Sequence, residues 1–276
     1  MKKTEVKANA KINLFLEITG RRENGYHDIS TVMHEISLHD TVTVERTEKD
    51  CITITSDSKA MPTDKRNIAY KCAEAFFEQL GSSFGINIHI EKRIPMEAGL
   101  AGGSADGAAV LKGLNELCSF PFTEEKLCEI GKSIGADIPF CVMGGAMLCE
   151  GIGEIMTPCQ TLPECVILIA KGSAGVSTKQ AYANLDAMTD RIIRDNNMPD
   201  LLKNGDIHSI CSSMYNCFEP LVPSVEAIKD IMKKAGALNA KMSGSGSAVF
   251  GIFTDSSKAQ NALKELKEKG YFAAIC

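Results

Sequence analysis

The chain has 276 residues, enough for one large or two modest domains, each with its own apolar core. It carries 30 Lys and Arg against 35 Asp and Glu, a net charge of −5, and no basic block, which excludes the footprint of a nucleic-acid binder. Its apolar runs are far shorter than the roughly 20 residues of a membrane span, and Glu17 interrupts the stretch behind the charged N-terminus, so neither a spanning helix nor a signal peptide is expected.

From residue 6 to 18, apolar and polar positions alternate with strand period. Val6, Ala8, Ala10, Ile12, Leu14, Leu16 and Ile18 share one face; Lys7, Asn9, Lys11, Asn13, Phe15 and Glu17 share the other. Lys11 and Asn13 project side by side, either as a functional pair or as part of the solvated side of an antiparallel sheet. The polar loop Gly20–Asp28 holds the turn signal Asn24-Gly25 and then Tyr26-His27, an aromatic and a titratable ring at a loop exit. Alternation predicts further strands at Thr31–Ser37, Thr41–Glu45 and Cys51–Thr55. Ile68, Cys72, Ala75, Phe76 and Leu80 form the stripe of a helix over Asn67–Leu80, stopped by Gly81.

Ile86–Cys118 is the most informative stretch. Ile86, Ile88 and Ile90 alternate with Asn87, His89 and Glu91 as a strand, which Pro95 ends. Gly99, Gly102, Gly103 and Gly107 then fall within nine residues, and Val110, Leu111, Leu114 and Leu117 follow at helical spacing. Strand, glycine-rich loop and helix in this order suit an anion. Glycines allow close backbone approach, and the helix start offers unpaired N–H groups and the positive end of its dipole. No Lys-Ser/Thr closes the loop as in a Walker A motif, and no G-x-G-x-x-G fingerprint fits. A tight turn packed on a sheet is the plainer alternative, but it does not need four glycines and Ser104.

Thr123–Ile134 reads as a helix with Thr123 as N-cap, a stripe of Leu127, Ile130 and Ile134, and Gly135 at its end. In Gly135-Ala136-Asp137-Ile138-Pro139 a carboxylate lies among apolar residues, either as a helix cap or as a group held for chemistry. Gly144–Pro158 reads as a hairpin turning at Gly151-Ile152-Gly153. A composition shift at Pro158–Pro163 sets a domain boundary, giving 1–158 and 159–276. Beyond it come a buried-type strand at Cys165–Lys171 and a helix capped at Ser177-Thr178 that carries Tyr182 and Leu185. Helices at Ile207–Phe218 and Val225–Ala235 follow, then strand, turn and strand over Lys241–Phe253 around the second glycine-rich run, Ser243–Ser247. A helix at Ser257–Lys269 and a strand at Tyr271–Ile275 complete an α+β pattern. The eleven cysteines are odd in number and form no C-x-x-C pair, so reduced thiols in a cytoplasmic protein are expected, with no zinc or other metal ligand set among the side chains.

PMEAGLAGGSADGAA, starting at Pro95, resembles the phosphate loop of the GHMP kinases, the superfamily of galactokinase and of homoserine, mevalonate and phosphomevalonate kinases. AKINLFLEITGRRENGYHDI, GADIPFC, GGAMLCEGIGE and KMSGSGSAVFG, spread in order along the chain, are similar to one branch of it. That branch phosphorylates a cytidine-diphosphate-linked polyol in non-mevalonate isoprenoid synthesis. The resemblance implies a two-domain α+β fold, ribosomal protein S5 domain 2-like and then ferredoxin-like, and an ATP-dependent small-molecule kinase whose ATP comes with Mg2+. It implies Lys11 and Asp137 as the catalytic pair, Asp137 being the base. For ATP it implies Pro95, Met96, Glu97, Ala98, Gly99, Leu100, Ala101, Gly102, Gly103, Ser104 and Ala105, with Asn67, Lys92 and Met96 around the adenine. For the acceptor it implies Asn13, Tyr26, His27, Tyr182, Gly244 and Gly246, Tyr26 stacking on the cytosine. The expected partners are small molecules, with no nucleic acid and no membrane, and the expected state is a monomer or weak homodimer. Two positions depart from the family pattern: Lys171–Thr178 lacks the prolines usual before G-V-S-T, and Ala105 stands where many relatives have Ser. A GHMP kinase for a different alcohol and a non-catalytic nucleotide-binding protein on the same fold are the alternatives.

Overall fold

Two long strands, β1 (Lys3–Arg21) and β2 (His27–Arg46), carry the start of the chain. The computed structural model describes residues 2–173, 175, 177–188 and 191–276. The strands expected at Thr31–Ser37 and Thr41–Glu45 are one, because no Gly or Pro interrupts Leu38-His39-Asp40. Then follow β3 (Ile52–Ser56), α1 (Ile68–Leu80), β4 (Ile86–Glu91), α2 (Gly102–Leu117), α3 (Glu124–Lys132) and α4 (Ile138–Met143).

The chain forms two compact units, each noncontiguous in sequence. The first holds the residues up to Ala10, Ser37–Ile94 and Ala101–Gly144. Its sheet runs β3-β4-β2-β1, with β3 parallel to β4 and the second half of β2 antiparallel to β4. α1 has locally written ends: Asn67 Oδ1 accepts from Ala69 N at 2.9 Å, and Gly81, at φ +70°, donates back to Phe77 and Glu78 carbonyls. α2 begins at Gly102, earlier than its apolar stripe suggests. It packs closely on α1, where a Cβ on Gly107 would lie 2.8 Å from Cys72 Sγ.

The second unit holds Lys11–Ile36, Pro95–Leu100 and Gly145–Cys276. Its elements are β5 (Ala146–Gly151), β6 (Ile155–Pro158), β7 (Val166–Lys171), α5 (Thr178–Asp186), α6 (Met198–Asn204), α7 (Ile207–Ser213), β8 (Tyr215–Asn216), α8 (Glu226–Lys234), β9 (Asn239–Met242), β10 (Val249–Phe253), α9 (Ser256–Glu268) and β11 (Phe272–Ile275). The expected hairpin is β5–β6, and β5 also pairs with the first half of β2. A second sheet, wholly antiparallel, has the order β11-β7-β10-β9. With α8 before β9 and α9 before β11, this is the ferredoxin-like split βαβ. Ile228, Met232, Ala259, Ala262 and Leu266 from the two helices close its core over Leu168, Ala170, Ala240 and Val249. The helix expected over Ile207–Phe218 ends at Ser213, since Tyr215-Asn216 pair instead with Phe15-Leu16 of β1. These units divide the chain differently from a single boundary at 158, because β1 and β2 each give one half to each unit. Among the described residues no helix is long and apolar enough to cross a membrane.

Candidate active site

In the second unit, burial decides between the two readings of β1. Every residue from Lys11 to Ile18 is buried, so the face bearing Lys11, Asn13 and Glu17 is not a solvated one. Lys11 is 4% exposed and donates through Nζ to Asn13 Oδ1 at 2.7 Å. Desolvating an ammonium costs several kcal/mol, so a lysine turned into a strand core is there for its charge, not for packing. Asn13 Oδ1 also accepts from Gly244 N at 3.0 Å, and its Nδ2 donates to Thr31 Oγ1 at 2.9 Å. Both ends of this amide are engaged by protein, and Asn13 organises the second glycine loop. Asn216 assists from β8 by donating to the Met242 and Gly244 carbonyls.

The two glycine-rich runs meet backbone to backbone in this unit. Gly99 has φ +75°, and a Cβ there would lie 2.1 Å from the Ser243 carbonyl oxygen. Gly244 has φ +56°, and its Cβ would lie 2.9 Å from Gly99 O. Only glycine takes both the dihedral and the approach. Ser243 Oγ donates to Gly99 O at 3.0 Å, Ala248 N to Ala98 O at 3.0 Å and Lys11 N to Leu100 O at 3.1 Å. Pro95–Leu100 is thus laced both to β1 and to the β9–β10 turn, where Gly246 also has a positive φ, +97°. Tyr26 stands 60% exposed beside a nearly buried His27, whose Nε2 lies 2.7 Å from Asp186 Oδ1. The Tyr182 ring packs 4.8 Å from the His27 ring and edge-on against Phe218. In the loop that departs from the family pattern, Ala174 and Val176 lie outside the described residues.

The first unit holds Asn67, Lys92, residues 101–105 and Asp137. Ala101, at φ +59°, starts α2 with no side-chain cap, and the first turn has no acidic residue. The ladder opens with Ala105 N to Ala101 O at 2.8 Å, so the N–H groups of Gly102, Gly103 and Ser104 precede it. A Ser or Asp cap would stabilise this helix by about 1 kcal/mol. Its lack leaves a positive helix end clear of competing oxygens, which fits a phosphate. The Cβ missing from Gly102 would face Ile94, 3.0 Å from its Cγ2, so this glycine serves helix–strand packing. Asp137 sits half-buried at the head of α4 and makes no capping hydrogen bond, so the cap reading does not account for it.

Asn67 and Lys92 have their polar ends engaged by protein. Asn67 caps α1 and donates to Pro62 O at 2.7 Å. Lys92 Nζ is buried between Asp40 and Asp106, 2.7 Å from Asp106 Oδ2. Asp40 Oδ1 accepts from the backbone of Arg93 and of Ile94, while Asp106 Oδ1 is buried without a partner among the described residues. Burial pushes the Asp106 carboxyl up to about 7, with Lys92 opposing and Asp40 adding to the rise. Burial also works against the Lys92 ammonium, but the two carboxylates outweigh it and raise its pKa. Sequence reasoning missed Asp40, Asp106, Thr31 and Asp186. The available signals were an acid inside the small-residue run at 101–109 and an acid one helical turn beyond Tyr182.

Residues 67–145 match the GHMP kinases N terminal domain, and residues 198–271 match GHMP kinases C terminal. The 4-diphosphocytidyl-2-C-methyl-D-erythritol kinase of Caldicellulosiruptor bescii is 44% identical over 95% of this chain and 94% of its own. The protein of that name from Alkaliphilus metalliredigens is 40% identical over 96% of this chain and 93% of its own. A crystal structure of a 4-(cytidine 5'-diphospho)-2C-methyl-D-erythritol kinase gives a TM-score of 0.82 at 29% identity, covering 99% of this chain and 98% of that one. Homoserine kinase from Cytophaga hutchinsonii has the same fold, with a TM-score of 0.73 at 20% identity over 100% and 94% of the two chains.

Proposed function

Because the chain belongs to the GHMP kinases, we propose that it transfers the terminal phosphoryl group of ATP to a hydroxyl of 4-diphosphocytidyl-2-C-methyl-D-erythritol, giving the 2-phosphate, a step of non-mevalonate isoprenoid precursor synthesis. The observation that carries this is likeness over nearly the whole chain to relatives of one name, 44% identical in the case of the Caldicellulosiruptor bescii protein.

Phosphoryl transfer asks little covalent chemistry of a protein and much positioning and charge stabilisation. The uncapped start of α2 and the loop at 95–105 hold the phosphates. Lys11 stabilises the charge that develops during transfer, and Asp137 takes the proton of the acceptor hydroxyl. Tyr26 stacks on the cytosine, with Tyr182 as the second aromatic. Mg2+ bound with the ATP would supply neutralisation of the phosphate charge. The enzyme works in the cytoplasm on small molecules alone, as a monomer or weak homodimer.

Coupled ADP release tests this with the cytidylylated methylerythritol beside homoserine and mevalonate. Release with the cytidylylated compound alone is expected. Release only with another alcohol reassigns the substrate, and release with none makes the chain a nucleotide binder.

A further inference from the structure

Thr31 is wholly buried in β2, where a valine would fill the same space, so its desolvated hydroxyl has to be accounted for by its partners. Oγ1 lies 2.6 Å from Phe15 O and 2.9 Å from Asn13 Nδ2. A carbonyl only accepts, so the single hydroxyl hydrogen goes to Phe15 O and a lone pair faces Asn13. That lone pair admits only the amide nitrogen of Asn13, which turns Oδ1 the other way. There Oδ1 accepts from Lys11 Nζ at 2.7 Å and from Gly244 N at 3.0 Å, two groups that can only donate. Donation therefore runs in one direction, from Lys11 to Asn13 to Thr31 to the Phe15 carbonyl, and each bond polarises the next. Lys11 is tied to the first glycine loop by its own N–H, at 3.1 Å from Leu100 O, and to the second through this amide.

We propose that Thr31 is a positioning residue: acting through Asn13, its hydroxyl sets the place of the Lys11 ammonium relative to the second glycine loop. This rests on the reading above of Lys11 as the group that stabilises charge during transfer. A threonine that only filled β2 could be exchanged for valine without effect on the reaction. Valine here deprives Asn13 Nδ2 of an acceptor and Phe15 O of a donor in a buried place. Turning the amide over gives no relief, because its NH2 would then face an ammonium and a backbone N–H. The amide tilts toward another acceptor instead, and Oδ1 gives up Lys11, Gly244 or both. A cation displaced from the developing charge slows the transfer itself and leaves ground-state binding alone.

Thr31→Val and Thr31→Ala remove the hydroxyl, and Thr31→Ser keeps it. Coupled ADP release with the cytidylylated methylerythritol, and nitrogen NMR of the Lys11 ammonium in the whole protein, read the effect. Valine and alanine should each lower kcat by about tenfold or more, the worth of one buried hydrogen bond, with KM for both substrates near wild type. Serine should restore most of the rate. In an Asn13→Ala background, Thr31→Val should cost little more, because the two residues act in one chain. The Lys11 resonance should move in Thr31→Val and stay in Thr31→Ser. An unchanged kcat in a variant that lacks the hydroxyl and still melts cooperatively overturns the proposal. So does a loss as large with serine as with valine, a rise in KM with kcat intact, or a full further loss in the Asn13→Ala background. A wild type that does not phosphorylate the polyol overturns the function proposed above. The Lys11 resonance then decides the role of Thr31: movement in Thr31→Val upholds it, and no movement overturns it.

Discussion

Replacing Asp106 with Asn should stabilise the protein by an amount that grows from about pH 5 to about pH 8. In the wild type, Asp40 and Asp106 share the single ammonium of Lys92, and all three side chains are nearly shut off from water. Asp106 Oδ1 has no partner among the described residues, and burial raises the carboxyl from 3.8 to about 7. The folded protein therefore holds the Asp106 proton more tightly than the unfolded chain does. The stability that follows is fully present below about pH 4 and is lost as the pH rises through about 7. At about 1.4 kcal/mol per pK unit the shift is worth at most roughly 4 kcal/mol, of which roughly 2–3 kcal/mol falls between pH 5 and pH 8. Asn keeps the shape, accepts from Lys92 Nζ through its carbonyl oxygen and does not ionise, so it lacks this slope. Urea unfolding of both proteins at the two pH values measures the change in their stability difference, and effects of the substitution that do not depend on pH cancel. A difference that stays constant, or that shrinks as the pH rises, refutes the reasoning and makes Asp106 an ordinary paired carboxylate.

Asp137→Asn should abolish turnover and leave the affinity for a non-hydrolysable ATP analogue near wild type; near-normal kcat in the folded variant removes Asp137 from the role of base. Tyr26→Ala should weaken binding of the cytidylylated substrate by about 1–3 kcal/mol, the range for a base on an aromatic ring, with ATP unaffected. Tyr26→Phe should cost little, and equal harm from both would give the contact to the hydroxyl. Gly99→Ala should lower the melting temperature far more than Gly25→Ala. Both glycines have positive φ, +75° and +85°, but a Cβ meets backbone only at Gly99, 2.1 Å from Ser243 O, and nothing lies within 4 Å at Gly25. The Gly25 variant should therefore show only backbone strain, about 1–2 kcal/mol. Equal shifts would mean that the contact between the glycine loops yields without cost.

Elements with locally written ends were legible in the sequence. α1 could be bounded because Asn67 and Gly81 satisfy its end groups within a few residues, and the β5–β6 hairpin because Gly151 and Gly153 take the dihedrals of its turn. The glycine-rich, uncapped start of α2 could be read from glycine spacing, and the family from motifs spread along the chain. The helix expected over Ile207–Phe218 fails at Tyr215 for the opposite reason. Its partner there is Phe15, two hundred residues upstream, and edge pairing with β1 overrides helical spacing. Lys11 shows the same limit at the site. Alternation put it on a polar face, but only the strands and turns packed on that face make it a buried cation. Asp106 beside Lys92, Gly99 against Ser243 and His27 on Asp186 are pairs 14, 144 and 159 residues apart. Sequence periodicity specifies which way a side chain faces over one or two turns of its own element. What stands opposite it, and so its protonation, tautomer and permitted backbone, is decided by segments that meet only when the chain has folded.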